Sequence, residues 1–407
     1  MKNVLEMYTK SPLILRIAIG LVIGVCLGIW VPAASFVTVF GEIFVGALKS
    51  IAPILVFVLV VAALANAGQN IGKRFRTVIL LYLLSTFLAA VVAVIGSYVF
   101  RVTIPLAEAA TQEAPAGLGE VFRTLLNNMV MNPVSAVMNA NYVGILTWSV
   151  VIGLALRGVA SDETKKVFND ISSAVSKAVG WIIQLAPFGI MGLVYASVSE
   201  YGIEIFTQYG KLLALLVGCM LAVALIVDPL VVAIALRRNP YPLVFKCFKE
   251  SGITAFFTRS SAANIPVNMK LCEKLGLDKE HYSVSIPLGA TINMDGAAIT
   301  ITVMALTAAF SQGIETNFFL AIILSIVATL GACGASGVAG GSLLLIPMAC
   351  SLLGVNADIA MQMVGVGFII GVVQDSLETA INSSGDVIFC ATAEYLEWKK
   401  VGKEIKF

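Results

Sequence analysis

The sequence predicts an all-α polytopic membrane protein with eight transmembrane helices and two re-entrant helical hairpins. Three observations predict it. Of the 407 residues 59% are hydrophobic and 12% charged, and the mean hydropathy is +0.95, outside the range of water-soluble globular chains. Eight windows are apolar over the roughly 20 residues that cross a bilayer. Two further stretches are too long or too polar at their tips for one span, and their ends fall on the same side as each other.

In chain order the windows lie near residues 12–32, 43–68, 77–100, 124–156, 174–198, 211–236, 283–310 and 359–392. No small-residue cleavage site follows the first, so it is read as an uncleaved span. The fourth is too long for one helix and is interrupted at Asn132-Pro133 and Asn139-Ala140-Asn141, so it breaks into pieces. Basic residues set the orientation. Lys2, Lys10 and Arg16, then Lys73, Arg74 and Arg76, then Arg157, Lys165, Lys166 and Lys177, then Arg237 and Arg238, and finally Lys399, Lys400, Lys403 and Lys406 all fall on one side. The other side receives Arg101, Arg123 and Lys211 among five glutamates. Both termini are therefore expected in the cytoplasm.

The first hairpin covers 241–275. Its ends carry cytoplasmic charge, yet it holds the apolar run Gly252 to Phe257 and the polar tip Thr258-Arg259-Ser260-Ser261. The second, 316–357, is uncharged throughout and centred on Gly331, Gly334, Gly337, Gly340 and Gly341. Irregular backbone at membrane depth is tolerated only where protein buries it or water lines it, so facing tips around a cavity are expected. Each hairpin has an Ile-Pro step after its tip, Ile265-Pro266 and Ile346-Pro347, and each precedes a span bearing Asn and Asp. That pattern suggests inverted repeats with a site near the bilayer midplane.

Composition also excludes. A net charge of +2 gives no basic surface for a nucleic acid. Seven cysteines are scattered singly, without metal spacing. His281, the only histidine, rules out imidazole clusters and is read as a loop residue near the lipid interface. No organic cofactor is expected.

The chemistry is concentrated in acids set inside apolar spans. Asn293-Met294-Asp295-Gly296 lies within the seventh window, and Asp375, Glu378 or Thr379, Asn382 and Asp386 share one face of the eighth. Such residues are costly in a membrane and are kept there to pair, hydrate or bind ions. Arg259 alone cannot neutralise Asp295, Asp375, Glu378 and Asp386, so bound cations are expected to supply the missing charge. Carboxylates, amides and carbonyls are hard oxygen ligands that suit alkali or alkaline-earth ions.

Thr258-Arg259-Ser260-Ser261, the Asn-Met-Asp-Gly motif, the glycine-rich second tip and Asn382 to Asp386 resemble the dicarboxylate/amino acid:cation symporter family, which includes the glutamate transporters. The order and spacing match over nearly the whole chain, closest to the bacterial sodium/serine-threonine branch. The resemblance implies an elevator-type transporter, assembled as a homotrimer and seated in the bacterial cytoplasmic membrane. It divides the chain into scaffold helices one and two (1–70), helix three of a transport domain (71–118), scaffold helices four and five (119–207), and the remaining transport domain (208–407).

The same resemblance implies three sodium sites. One uses Asp386, Asn382 and the backbone of Gly289 and Asn293. Another uses Thr291, Met294 and the second-tip carbonyls around Ala332, Cys333 and Ala335. The third uses Asp295 with Tyr82, Ser85 and Thr86. For the substrate it implies Asp375 for the ammonium group, Asn382 for the α-carboxylate, and a cradle of Ser260, Ser261, Gly337 and Val338, with Thr379 alongside. Glu378 occupies the position of an arginine that, in relatives taking acidic amino acids, holds the side-chain carboxylate. The second tip reads Val338-Ala339-Gly340 where the family usually has Val-Pro-Gly.

The reading that follows is sodium-coupled import of small neutral hydroxy amino acids, serine and threonine, with Arg259 paired to Asp375 or Glu378. The nearest alternative is a sodium- or proton-coupled carrier of glutamate, aspartate or C4-dicarboxylates. An intramembrane aspartyl hydrolase would need a water-activating carboxyl pair in a peptide-sized cleft, which small-residue tips do not suggest. An ion channel is disfavoured by two tips that close.

Overall fold

The computed structural model describes residues 11–66, 73–106, 123, 126–333 and 340–405, and among them there is no strand. Helix α1 (Leu13–Trp30) lies along α7 (Ala186–Tyr201) through Gly20, Gly24 and Gly28, spaced one turn apart. A Cβ on Gly20 would sit 2.1 Å from the Pro187 carbonyl oxygen, and one on Gly24 would sit 2.6 Å from that of Met191. Small residues at this spacing let two backbones touch, which is how helices associate where apolar surface gains nothing over lipid. Helix α2 (Thr38–Ala65) packs on the same partner and on α5 (Tyr142–Val159) and α6 (Asp162–Ile183).

The fourth window is broken by caps. Asn132 accepts from the amides of Val134 and Ser135 to start the short α4 (Pro133–Met138), and Asn141 accepts from Gly144 to start α5. The fifth window, expected as one span over 174–198, is instead the end of α6 and most of α7, which meet at a 54° bend. Pro187 in the first turn of α7 has no N–H and its ring opposes the Ile183 carbonyl, which favours a kink or break there.

A second set of helices packs around two central ones. These are α14 (Asp295–Ser311), buried from Asp295 to Phe310, and the 44-residue α17 (Ala357–Lys400). Around them lie α3 (Lys73–Phe100), and α8 (Ile205–Ala222) running through a wide turn, Val223–Val227, into α9 (Asp228–Leu236). Pro229 is incompatible with the carbonyl four residues back, and widening the turn relieves it.

The first hairpin is α10 (Tyr241–Cys247), a second wide turn (Phe248–Gly252), α11 (Ile253–Thr258) and α12 (Ser261–Lys274). It reverses at Arg259, whose φ of 52° is left-handed. The second hairpin is α15 (Phe318–Ala332), then a tight turn at Ser342–Leu345 leading into α16 (Ile346–Leu352). The seventh window is split into α13 (Lys279–Ile292) and α14 at Asn293-Met294, whereas its counterpart in α17 runs unbroken.

Polar contacts sort the ends into two poles. At one, Arg74 lies 3.1 Å from Asp278, and Lys399 and Arg238 donate to the carbonyls of Leu236 and Ile405. At the other, Tyr98 donates to the Thr316 carbonyl and the Ile104 amide to Ser311. The ends of the first hairpin lie at the first pole and the start of the second at the other. The two helix sets meet through Phe44 against Phe368, 5.1 Å between ring centroids, and Leu193 against Gly365.

His281 is not a loop residue. It lies in the first turn of α13, buried, with Nε2 3.4 Å from the Cys390 carbonyl and Nδ1 3.5 Å from Ser285 Oγ. Among the described residues five helices are long and apolar enough to cross a membrane, Ser35–Ala62, Arg74–Phe100, Ile205–Leu236, Lys279–Ser311 and Ala357–Lys400, and the bent α6–α7 pair makes a sixth. The chain is a multi-pass membrane protein.

Candidate cation and substrate site

The break between α13 and α14 is where the buried acids converge. Where the helix breaks, the Asn293 side chain and the Met294 amide turn sideways. Asn293 Nδ2 donates to the Asn382 carbonyl (3.0 Å) and to Asp386 Oδ1 (3.2 Å), and the Met294 amide donates to Thr86 Oγ1 (3.2 Å). Asp295 follows as the first residue of α14, where free amides and the helix dipole favour an anion. Its two oxygens accept from Ser85 (2.6 Å) and Thr86 (2.9 Å) of α3.

Glycines make the approach possible. A Cβ on Gly296 would lie 2.6 Å from Glu378 Cα, one on Gly289 2.7 Å from Asp386 Oδ1, and one on Gly385 2.6 Å from Asn293 Nδ2. Asn382 Oδ1 takes the Gly296 amide at 2.8 Å, while among the described residues its Nδ2 has the Met294 sulfur at 3.4 Å as partner. A thioether is a weak acceptor, so this N–H retains donor capacity for a carboxylate.

Above this cluster Asp375 joins both hairpins. Its Oδ2 is 2.6 Å from Arg259 Nε at the first tip, and its Oδ1 accepts the Gly340 amide of the second at 3.2 Å. Arg259 also donates to the Gly371 carbonyl. Glu378 is held separately, with one oxygen accepting from Thr300 (2.8 Å), Ser342 (2.9 Å) and Gln374. Thr300 Oγ1 also lies 3.0 Å from the Gly296 carbonyl, so its one hydrogen is shared between the two acceptors.

A family model described as the sodium:dicarboxylate symporter family matches residues 13–396. The chain belongs to the sodium:dicarboxylate symporter family. Similar curated relatives are each named serine/threonine transporter SstT. That of Bifidobacterium adolescentis is 58% identical over 99% of this chain and 94% of its own length. That of Streptococcus thermophilus is 53% identical over 98% and 100%, and that of Streptococcus agalactiae 55% identical over 97% and 98%.

In this symporter the structure brings Asn293, Asn382, Asp386 and Gly289 together, and Asp295 with Ser85 and Thr86. The resemblance groups Tyr82 with Asp295; in the structure its hydroxyl lies 2.9 Å from the Asp386 carbonyl and 3.3 Å from the Ser285 carbonyl. Cys333 Sγ reaches the Ile292 carbonyl at 3.5 Å with Ala332 buried beside it, whereas the exposed Thr291 hydroxyl is turned to Leu288. Thr379 donates its hydroxyl to the Asp375 carbonyl, and Ser260 caps α12 at Ala263. Ala335, Gly337 and Val338 lie outside the described residues.

Several polar partners escaped the sequence reading. Asp228 of α9 is buried and accepts from Ser85 at 2.9 Å, and Asn264, Asn268, Ser251 and Ser383 form a network beneath Asp386. Asp228 was detectable, as an Asp-Pro step inside the sixth apolar window. A substitution tests the close approach: Gly385→Ala removes a helix-weakening glycine but displaces the Asn293 amide from Asp386. A hydrogen bond to a charged group is worth about 1.5–3 kcal/mol. The sodium concentration for half-maximal uptake is expected to rise roughly tenfold or more, read from initial rates across a sodium series.

Proposed function

We propose that this chain is a sodium-coupled symporter importing serine and threonine across the bacterial cytoplasmic membrane. The observation that carries the substrate choice is Glu378, clamped by Thr300, Ser342 and Gln374 where the resemblance places an arginine in carriers of acidic amino acids. An acidic side chain would meet a second carboxylate there, whereas a neutral hydroxyl can donate to it. Asp375, within reach of both tips, is suited to the substrate ammonium, and the Asn382 amide to its carboxylate. The relatives' shared name supports the same choice.

The architecture assigned to this activity is eight spans plus two hairpins, with both termini cytoplasmic, assembled as a homotrimer. The set α1, α2 and α4–α7 is the scaffold; α3 and α8–α17 form the transport domain that carries sodium and substrate together in an elevator motion. Support comes from the packing, which is denser within each set than between them, where Phe44 meets Phe368 and Lys49 pairs with Asp358. Sodium is cargo: Asp386 with Asn293 and Asn382, Asp295 with Ser85 and Thr86, and the Cys333 region of the second tip are its ligand sets.

Counterflow in proteoliposomes tests the whole reading. Labelled serine should exchange against internal serine or threonine only with sodium present, and excess aspartate should leave it unaffected. Aspartate transport that ignores excess serine would establish instead the acidic amino acid or C4-dicarboxylate carrier.

A further inference from the structure

Asp228 has no place in the ligand sets assigned above, yet it shares an atom with one of them. It opens α9 directly after the wide turn, fully buried, with Pro229 next. Its Oδ1 lies 2.9 Å from Ser85 Oγ, and the same hydroxyl lies 2.6 Å from Asp295 Oδ2. A serine hydroxyl has one hydrogen, so it can satisfy one of these carboxylates and not both. The other oxygen of Asp228, Oδ2, is buried without a hydrogen-bond partner, as is Asn293 Oδ1 two residues before Asp295. None of the ion pairs Lys49–Asp358, Arg74–Asp278, Arg259–Asp375, Lys274–Glu250 and Lys400–Glu397 reaches Asp228 or Asp295.

Two buried carboxylates around one hydroxyl, with an oxygen left bare, lack a positive charge. We infer that Asp228 is itself a cation ligand, forming with Asp295, Ser85 and Thr86 a dicarboxylate–dihydroxyl pocket for a dehydrated sodium ion. The inference rests on the proposed sodium coupling and deepens it. All four ligands are hard oxygens, three of them on α3 and α14, and none comes from either hairpin tip. Occupancy of this pocket is therefore independent of tip closure.

The test is the thermal midpoint of the purified protein titrated with sodium against choline, without any amino acid. A bound ion stabilises in proportion to the logarithm of its concentration over its Kd. Asp228→Asn keeps the shape and drops the charge. It is expected to raise the sodium concentration for half-maximal stabilisation at least about tenfold, with the sodium-free midpoint at or above that of the parent. An unchanged sodium half-point overturns the inference; if the pH dependence of the midpoint is lost at the same time, the carboxyls share a proton instead. Should Asp228→Asn fail to fold, Asp228→Glu is titrated with lithium and sodium. A longer acid arm should change their ratio, and an unchanged ratio counts against ligation. A parent protein that responds to sodium but does not carry serine leaves this inference standing and sinks the substrate choice. One that ignores sodium sinks both.

Discussion

Asp375→Asn should abolish serine uptake. The carboxylate it removes lies 2.6 Å from Arg259 Nε, with side-chain exposures of 4% and 11%. Breaking one side of a buried pair costs about 3–5 kcal/mol, because the remaining charge is left uncompensated. That corresponds to a loss of roughly a hundredfold or more if it falls on transport. The other oxygen receives the Gly340 amide, so the substitution loosens both tips at once. Arg259→Gln combined with Asp375→Asn separates the two roles, since it removes both charges together. The double variant is expected to recover thermal stability and to remain inactive, because the ammonium acceptor is still missing. If it transports serine at the parent rate, Asp375 is only the arginine's counter-ion.

Asp386→Asn is expected to change stability with opposite signs in the presence and absence of sodium. The Asp386 side chain is fully buried, and its partners are the Asn293 amide at 3.2 Å and the Asn268 amide at 3.5 Å, with no basic group in ion-pair contact among the described residues. Without sodium that is a buried charge held by neutral donors alone, and removing it should raise the thermal midpoint. With sodium the variant should gain little, since the anionic ligand is gone, and half-saturation of uptake should move upward at least about tenfold. Midpoints measured in sodium and in choline give both signs. An Asp386→Asn protein as strongly stabilised by sodium as its parent would falsify the ligand assignment.

The hairpins and the Arg259–Asp375 pair were legible because charge is scarce in this chain. A run that starts and ends among lysines but dips through Gly252 to Phe257 must turn back, and a lone arginine between intramembrane acids must pair with one of them. The bend at Pro187 was equally available and was passed over because the hydropathy window averages across it. Hydropathy also stopped the last span at 392, although α17 continues to Lys400 as a helix whose charged end needs no lipid. What the sequence could not indicate is azimuth. Tyr82, Ser85 and Thr86 sit within five residues of one another, yet the tyrosine faces Asp386 and the hydroxyl pair faces Asp295. The wide turn before Asp228 shifts its neighbours by a fraction of a turn, and no local propensity distinguishes it from ordinary helix.

Helix α17 carries Asp375, Glu378, Asn382 and Asp386 and then runs on without interruption to Trp398, whose indole is held by Glu394 at 3.1 Å and covered by Lys403. At about 1.5 Å per residue the distance from Asp375 to Trp398 is about 35 Å along one rigid rod. The other tryptophans, Trp30, Trp148 and Trp181, all belong to the first helix set. The chain thus carries one native optical marker on the helix that bears Asp375 to Asp386 and three in the first helix set, so light emitted at one pole reports on residues far from it.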